Sequence, residues 1–300
     1  PCLKVLITLI TQTIIMNNIL VTGSNGQLGS EIREIALDYK EYTFLFTDIS
    51  DLDITNHSAV AELVKKHKIN IIINCAAYTA VDKAESEPEL SNAINHIAVA
   101  NFAKIAKENN IKLVHISTDY VFDGTKHKPY IEKDQPNPKS IYGLTKLDGE
   151  LAILRTNPKN SIIIRTSWVY SKFGNNFVSS IISKAKENKQ IRVVNDQIGS
   201  PTSAFELAKV ILDIIPKIKN KDVEVFHFSS SGECSWFDFA ESIFNISHEI
   251  HLVERKPDLD PILTHQYKTL AKRPTYSVLD CSKLFNTFNL MCVNWESELR

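Results

Sequence analysis

The sequence predicts an α/β fold, a doubly wound parallel sheet followed by a smaller C-terminal α/β domain. Three observations predict it. A short apolar run at residues 18–22 ends in a glycine-rich loop that opens a helical pattern. A continuous apolar run at 69–74, as expected of a buried parallel strand, and a further predicted strand at 112–117 alternate with helical patterns. After about residue 166 the alternation becomes less regular, which indicates a second, smaller domain.

The first apolar run leads into a loop with three evenly spaced glycines, Gly23, Gly26 and Gly29. Glycines allow a tight turn and let the backbone approach a pyrophosphate, while the N-terminus of the following helix supplies amide donors. The loop therefore predicts a Rossmann-like dinucleotide site. Its spacing differs from Gly-x-Gly-x-x-Gly, so an ordinary strand-to-helix turn remains the alternative interpretation.

Residues 42–47 predict the second strand, and Asp48 closes it. An acid at this position typically binds the adenosine ribose hydroxyls and disfavours a 2′-phosphate, so we expect NADH to be used at least comparably with NADPH. A turn aspartate at a strand end is the alternative. After the run at 69–74, the small residues Ala76 and Ala77 leave room for a cofactor to cross the strand end.

Thr118 and Asp119 stand at the carboxyl end of the strand predicted over 112–117, where parallel sheets bind ligands. Tyr142 and Lys146 are four residues apart and would share one face of a helix. The lysine ammonium would lower the pKa of the phenol from about 10 towards neutrality, which suits proton exchange with a carbonyl or alcohol oxygen. The alternative is a half-buried tyrosine beside a solvated lysine.

Composition narrows the class of protein. The chain has 300 residues, 43% of them hydrophobic, which suits a soluble globular protein with a substantial core. Its formal net charge of -1 argues against binding to nucleic acid or to an acidic membrane. The five cysteines contain no Cys-x-x-Cys, so we expect neither a disulfide framework nor a zinc site, and a cytoplasmic location.

Residues 1–16 stand apart from this pattern. The apolar run at 5–15 is too short to span a bilayer, and no small-residue cleavage site follows it. We expect residues 1–16 to be an extension that is not part of the fold. We assign residues 17–166 to a dinucleotide-binding domain, and 167–300 mainly to a substrate-binding domain with returns to the sheet.

These motifs together resemble the extended short-chain dehydrogenase/reductase family, and within it the reductases of nucleotide sugars. The resemblance covers almost everything from residue 18 to residue 280. It implies reduction of the 4-keto group of dTDP-6-deoxy-L-lyxo-4-hexulose by NADH or NADPH. The matching stretches are residues 23–29, 76–86, 117–124, 142–150, 165–170, 174–177, 196–202 and 273–274.

The resemblance also implies roles for single residues. Thr118, Tyr142 and Lys146 would be the catalytic group, with Tyr142 as the proton donor and Lys146 on the nicotinamide ribose. The sugar nucleotide would contact Thr118, Asp119, Tyr120 and Trp168. The cofactor would be bound by Gly23, Gly26, Gln27, Leu28, Asp48, Asp53, Ile54, Ala76, Ala77 and Thr79, together with Tyr142 and Lys146.

Magnesium binding is doubtful. Some members of the family bind this ion through glutamates at a dimer contact. Glu31 and Glu296 match that pattern, but Phe205 stands at the middle position, with Glu206 one place off. A shift of one place turns a helical side chain by about 100°. We therefore expect weak or no magnesium dependence, and both a monomer and a homodimer remain open.

Two other functions also remain open. A related epimerase or dehydratase of nucleotide sugars would keep its NAD through the reaction. Dehydratases of the family resemble Thr-Asp-Glu at the site, and here Tyr120 replaces the carboxylate. A non-catalytic, dinucleotide-binding regulatory subunit would resemble this sequence too, although Thr118, Tyr142 and Lys146 are all present.

Overall fold

The computed structural model describes residues 17–187 and 190–300, so the predicted extension at 1–16 lies outside the described residues. The strands are β1 (Asn17–Thr22), β2 (Tyr42–Thr47), β3 (Ile71–Asn74), β4 (Lys112–Thr118), β5 (Ile162–Thr166), β6 (Val169–Tyr170), β7 (Gln190–Val194), β8 (Ile198–Gly199), β9 (Thr202–Ser203), β10 (Glu224–His227), β11 (Cys234–Ser235) and β12 (Asp258–Ile262). The helices are α1 (Gln27–Ile35), α2 (His57–Lys66), α3 (Val81–Ala84), α4 (Pro88–Asn92), α5 (Ala98–Glu108), α6 (Ile141–Thr156), α7 (Phe177–Glu187), α8 (Ala204–Ile214), α9 (Trp236–Glu249), α10 (Ser282–Phe288) and α11 (Trp295–Leu299).

The main sheet has six strands in the order β10-β5-β4-β3-β1-β2, and every neighbouring pair is parallel. The strand order reverses between β1 and β3. Thr22 at the end of β1 lies opposite Thr47 on one side and Asn74 on the other, so three strands end at the same edge. Ligands in such sheets bind outside the carboxyl ends at this reversal. The predicted doubly wound parallel sheet is confirmed.

Both faces of the sheet are buried, which explains the continuous apolar runs in the sequence. Val21 and Ile73 belong to a core on the face covered by α1 and α8. Their neighbours Leu20 and Ile72 point the other way, into a core built with α2 and α5. Because side chains alternate along a strand, a strand between two helical layers buries both of its faces and is apolar at most positions.

The part of the chain after residue 166 has a smaller core of its own, and also returns to the sheet. Tyr170, Phe239 and Trp295 belong to a separate buried cluster formed with α7 and α9. In contrast, α8 and α10 contribute to the core of the main sheet, and β10 forms its edge. The assignment of residues 167–300 to a substrate-binding domain stays a prediction.

Candidate active site

The loop between β1 and α1 approaches its surroundings too closely to carry side chains at two of its glycines. Gly23 has a φ of +65°, and a Cβ there would lie 2.7 Å from the backbone of Ala76. A Cβ on Gly29 would lie 2.4 Å from the carbonyl oxygen of Gly23. These glycines let the first turn of α1 close onto the carboxyl end of β1.

The N-terminus of α1 has the properties of an anion-binding site. Its N-cap is Gly26, and no described side chain accepts a hydrogen bond from the first amides of the helix. Such amides, with the helix dipole, attract phosphate oxygens. The buried Oε1 of Gln27 has no hydrogen-bond partner among the described residues. Both features fit the pyrophosphate of a dinucleotide cofactor.

A cleft of about 840 Å³ opens at the carboxyl ends of the strands, and every residue predicted to bind cofactor or substrate lines it. The structure therefore brings onto one surface residues that lie between positions 23 and 168 of the sequence. They are Gly23, Gly26, Gln27, Leu28, Asp48, Asp53, Ile54, Ala76, Ala77, Thr79, Thr118, Asp119, Tyr120, Tyr142, Lys146 and Trp168.

Tyr142 reaches this cleft because α6 begins beside the end of β4. Ser140, the N-cap, accepts a hydrogen bond from the amide of Gly143 at 3.1 Å and stabilises the start of the helix. A Cβ on Gly143 would lie 2.3 Å from the carbonyl oxygen of Tyr120, so only glycine allows this approach. As a result the ring of Tyr142 lies edge-on to the ring of Tyr120, with centroids 5.4 Å apart.

Thr118 ends β4 and caps the short turn that follows. Its hydroxyl donates a hydrogen bond to Oδ1 of Asp119 at 3.0 Å and accepts one from the amide of Tyr120 at 3.2 Å. Burial raises the pKa of Asp119 to about 6. A hydrogen bond from Ser277 lowers this pKa, while the second oxygen, Oδ2, is buried and makes no well-aligned hydrogen bond to the described residues. Asp119 therefore offers the cleft an acceptor that a ligand hydroxyl can use.

The pKa of Tyr142 is raised above its ordinary value, chiefly because the phenol is buried. The Thr118 hydroxyl lowers this pKa and the carboxylate of Asp119 raises it. The expectation that Lys146 lowers the pKa of Tyr142 is therefore wrong in this structure. The phenol is protonated at neutral pH, which is the form that a proton donor needs.

The ammonium of Lys146 turns towards the sheet, which explains this difference. Its Nζ donates a hydrogen bond to the carbonyl oxygen of Ile116 at 2.6 Å and lies 3.4 Å from Nε2 of His115. Burial lowers the pKa of Lys146 to about 8, while Glu150 raises it. The spacing of four residues places Tyr142 and Lys146 on one helix face, but it does not determine where a flexible lysine side chain ends.

A buried ion pair lies behind the cleft. Arg165 on β5 donates hydrogen bonds to both carboxylate oxygens of Glu150 on α6, with Nη2 2.6 Å from Oε2. Ser117 on β4 donates to the same carboxylate. The pair joins β5 to α6, and Ser117 adds β4, so the carboxylate of Glu150 links the two elements that carry Thr118 and Tyr142. The role of this pair was not predicted, although an arginine in the otherwise apolar strand β5 indicates a buried partner.

The indole of Trp168 is fixed from two sides. Its backbone has a φ of +47°, which is unusual for a bulky residue. Trp236, at the start of α9, stacks on it with ring centroids 3.5 Å apart. A Cβ on Gly199 would lie 2.4 Å from the indole, so only glycine at position 199 leaves room for Trp168. The sequence predicted Trp168 as a site residue but contained no signal that Trp236 supports it.

Arg273 connects the C-terminal part of the chain to the wall of the cleft. It donates one hydrogen bond to the hydroxyl of Tyr120 at 3.1 Å and another to Asp82 at 2.8 Å. Burial raises the pKa of Tyr120 to about 12, an effect that Arg273 opposes. Tyr120 is therefore a neutral, anchored phenol. Arg273 belongs to a matched stretch of the sequence, but its contact with Tyr120 was not predicted.

Within the ranges that the structure describes, no three His, Cys, Asp or Glu side chains are arranged to hold a metal ion. Glu31 is buried and accepts a hydrogen bond from Ser171, whereas the side chain of Phe205 is exposed. Weak or absent magnesium dependence stays a prediction. In the same ranges, no helix has the length and apolar character needed to cross a membrane.

A glycine loop at a helix N-terminus, opening on the same cleft as the hydroxyls of Thr118 and Tyr142, is the arrangement of an NAD(P)-dependent oxidoreductase of the extended short-chain dehydrogenase/reductase class. Comparison with known proteins agrees with this class. The chain belongs to the family described as RmlD substrate binding domain, whose model matches residues 16–300. The family, the enzyme class and the NAD(P)H cofactor predicted from the sequence are confirmed.

Individual relatives match over nearly the whole chain. A dTDP-4-dehydrorhamnose reductase from Aggregatibacter actinomycetemcomitans is 40% identical over 95% of this chain and 98% of that protein. The structure of a dTDP-4-dehydrorhamnose reductase from Bacillus anthracis in complex with NADP has a TM-score of 0.88 at 39% identity, covering 95% of this chain and 98% of that one. A third, from Clostridium acetobutylicum, has a TM-score of 0.86 at 42% identity, covering 94% and 96%.

Proposed function

We propose that this protein reduces the 4-keto group of dTDP-4-dehydro-L-rhamnose, also called dTDP-6-deoxy-L-lyxo-4-hexulose, to give dTDP-L-rhamnose. NADH or NADPH is the reductant. The observation that carries the proposal is that the hydroxyls of Thr118 and Tyr142 line the same cleft as the glycine loop. The reaction is the one named for relatives that are 39–40% identical over at least 93% of this chain, which supports the choice of substrate.

The reduction places a hydride on the carbonyl carbon and a proton on its oxygen. A bound dihydronicotinamide supplies the hydride. Tyr142, which its raised pKa keeps protonated, gives the proton to the carbonyl oxygen as negative charge develops there. The hydroxyl of Thr118 turns from Asp119 to donate a hydrogen bond to the same oxygen.

Lys146 has two roles in this proposal. The carbonyl of Ile116 uses one of the three protons of its ammonium, and the others remain for the hydroxyls of the nicotinamide ribose. Its hydrogen bond to the carbonyl of Ile116 also ties α6 to β4, and so keeps the Tyr142 and Thr118 hydroxyls in position on the same cleft.

The substrate side of the cleft is assigned to Asp119, Tyr120 and Trp168. Asp119 contributes its unpartnered buried oxygen to a sugar hydroxyl. Trp168 presents an indole that Trp236 and Gly199 hold in place. A flat, immobile aromatic surface of this kind binds a sugar ring or a base at a small cost in conformational entropy.

The chemistry at Tyr120 weighs against a 4,6-dehydratase. Such an enzyme needs a base to remove the proton from C5 of the sugar. Tyr120 has a pKa of about 12 and shares its hydroxyl with Arg273, so it is not a base at neutral pH. An epimerase and a regulatory subunit are distinguished by the experiment below.

We further propose that the enzyme acts in the cytoplasm, as a monomer or a homodimer, and binds neither nucleic acid nor membranes. The net charge of -1 gives the protein no basic surface charge in excess that would attract nucleic acid or an acidic membrane. Cys75, Cys234, Cys281 and Cys292 are free thiols, which suits a reducing compartment.

The test is to supply the dTDP-4-keto sugar, generated in situ, together with NADH or NADPH. Loss of the absorbance of reduced nicotinamide should match the appearance of dTDP-rhamnose mole for mole, and Tyr142→Phe is the control for background oxidation. An epimerised sugar without net oxidation of the nicotinamide would indicate an epimerase. Nucleotide binding with no product at all would indicate a regulatory subunit.

A further inference from the structure

Arg33 is exposed on α1, but its side chain is held in one place. Its Nη2 donates hydrogen bonds to Oγ of Ser24 at 2.6 Å and to Oδ1 of Asn25 at 3.3 Å, both in the glycine loop. Its guanidinium lies over the ring of Phe46 on β2, 5.1 Å from the centroid. Because these contacts already order the side chain, it loses little further rotamer freedom when an anion binds to it.

Asn25 connects this guanidinium to Asp48. The side-chain oxygen of Asn25 accepts a hydrogen bond from Arg33. The backbone amide of Asn25 donates one to Oδ2 of Asp48 at 2.8 Å. Arg33 therefore lies beside the carboxyl end of β2, where the adenosine ribose of a dinucleotide binds in this fold. Among the described residues, no carboxylate forms an ion pair with it.

Both carboxylate oxygens of Asp48 accept hydrogen bonds from backbone amides, which its place in the sequence did not indicate. Its Oδ1 accepts a hydrogen bond from the amide of Ile49 at 2.8 Å, and its Oδ2 accepts the one from Asn25. A carboxylate alone at this position repels a 2′-phosphate, which was our reason to favour NADH. Here a guanidinium of opposite charge is linked to it through Asn25, and guanidinium groups bind phosphate oxygens in a fork geometry.

We propose that Arg33 forms a subsite for the 2′-phosphate of NADPH, so that the protein binds NADPH at least as tightly as NADH in spite of Asp48. This inference rests on the proposed function only in that the cleft binds a dinucleotide. Its ligand is the phosphate group on the adenosine ribose, which distinguishes the two coenzymes.

The test uses the full chain and two fragments that differ only in that phosphate, 2′,5′-ADP and 5′-AMP, titrated by calorimetry. Arg33→Gln removes the charge and keeps hydrogen-bonding capacity. We expect it to weaken 2′,5′-ADP by about tenfold or more and to leave the affinity for 5′-AMP within about twofold. Arg33→Lys should retain part of the preference, because it keeps the charge but not the fork.

Arg155→Gln is the matched control, since Arg155 is exposed in the last turn of α6, about 20 Å along the helix from Tyr142. It should change neither affinity. In turnover assays, Arg33→Gln should lower kcat/KM for NADPH by a much larger factor than kcat/KM for NADH.

Equal weakening of both fragments would mean that Arg33 only supports the loop, and would overturn the proposal. Unchanged binding of 2′,5′-ADP would overturn it too. The calorimetry does not involve the keto-sugar substrate, so a failure of the proposed reaction is distinguishable. In that case the protein would discriminate between the two fragments and yet not reduce the keto sugar.

Discussion

The ammonium of Lys146 donates a 2.6 Å hydrogen bond to the carbonyl oxygen of Ile116, two residues before Thr118 on the same strand. The lysine thus ties α6, which carries Tyr142, to β4, which carries Thr118. The contact also keeps the ammonium buried, and burial lowers its pKa to about 8. Both consequences can be measured.

The pH dependence of the reaction should reflect this lowered pKa. Lys146 is charged below about pH 8 and neutral above it, where the ordinary lysine pKa of 10.5 would have kept it charged. Because the proposed role requires the charged form, kcat/KM should be lost as the pH rises through about 8. Lys146→Arg, which stays charged, should be slower but should move this loss to higher pH. An unchanged alkaline limb in Lys146→Arg would assign the limb to another group.

Tyr142→Phe removes one oxygen from the cleft and leaves the ring that packs on Tyr120. If Tyr142 is the proton donor, kcat should fall by about 10²–10⁴, while nucleotide affinity stays near wild type. Thr118→Val keeps the shape and deletes one hydrogen bond to a developing charge, so it should cost about 1.5–3 kcal/mol in the activation free energy. Turnover and melting temperature should be measured on the same preparation. Wild-type turnover in Tyr142→Phe would disprove the assignment.

The buried pair Glu150 and Arg165 should matter more for stability than any exposed pair. Arg165→Met leaves the carboxylate of Glu150 buried without its partner, and should lower the free energy of unfolding by about 3–5 kcal/mol. Urea denaturation measures this. Adding Glu150→Leu to Arg165→Met should restore part of the loss, because no uncompensated charge remains.

The exposed pair Lys172 and Glu34 provides the comparison, with side chains 59% and 46% accessible. Lys172→Met should change the free energy of unfolding by no more than about 1 kcal/mol. A loss in Arg165→Met as small as this would show that water or rearrangement compensates the buried carboxylate.

Trp236 should affect substrate binding through Trp168, on which it stacks. Trp236→Leu removes the aromatic support, and we expect KM for the sugar nucleotide to rise roughly three- to tenfold, in line with an aromatic pair worth about 0.5–1.5 kcal/mol. KM for NADH should not change. Trp236→Phe keeps a stacking ring and should behave nearly as wild type.

A spectroscopic measurement separates this effect from general destabilisation. Two indoles 3.5 Å apart couple their transitions, so near-ultraviolet circular dichroism should lose a feature in Trp236→Leu while the far-ultraviolet spectrum is kept. An equal rise of KM for both substrates would point instead to a distorted cleft.

Much of the fold and most of the site could be predicted from the sequence because their signals are local. Strands buried on both faces favour apolar runs, and the consecutive apolar residues 19–21 of β1 and 71–73 of β3 show them. The glycines of the loop form a motif within seven residues, although the contact that Gly23 requires is with the backbone of Ala76, which follows the neighbouring strand β3. The carboxyl ends of parallel strands meet at one edge, so Asp48 and Thr118 could be assigned to one cleft before any distance was known.

The remaining features of the site depend on contacts between side chains that are far apart in the sequence. These side chains meet only in the folded structure. The distance between Arg165 and Glu150 is set by the packing of α6 against β5, and the stack of Trp236 on Trp168 by the way α9 folds back. Arg33 reaches Asp48 only through Asn25 and the ring of Phe46. The sequence alone therefore determined which elements form and where the cofactor cleft lies. The tertiary structure decided where each flexible charged side chain ends, because a lysine or arginine stem can reach several partners and the packed fold leaves only one.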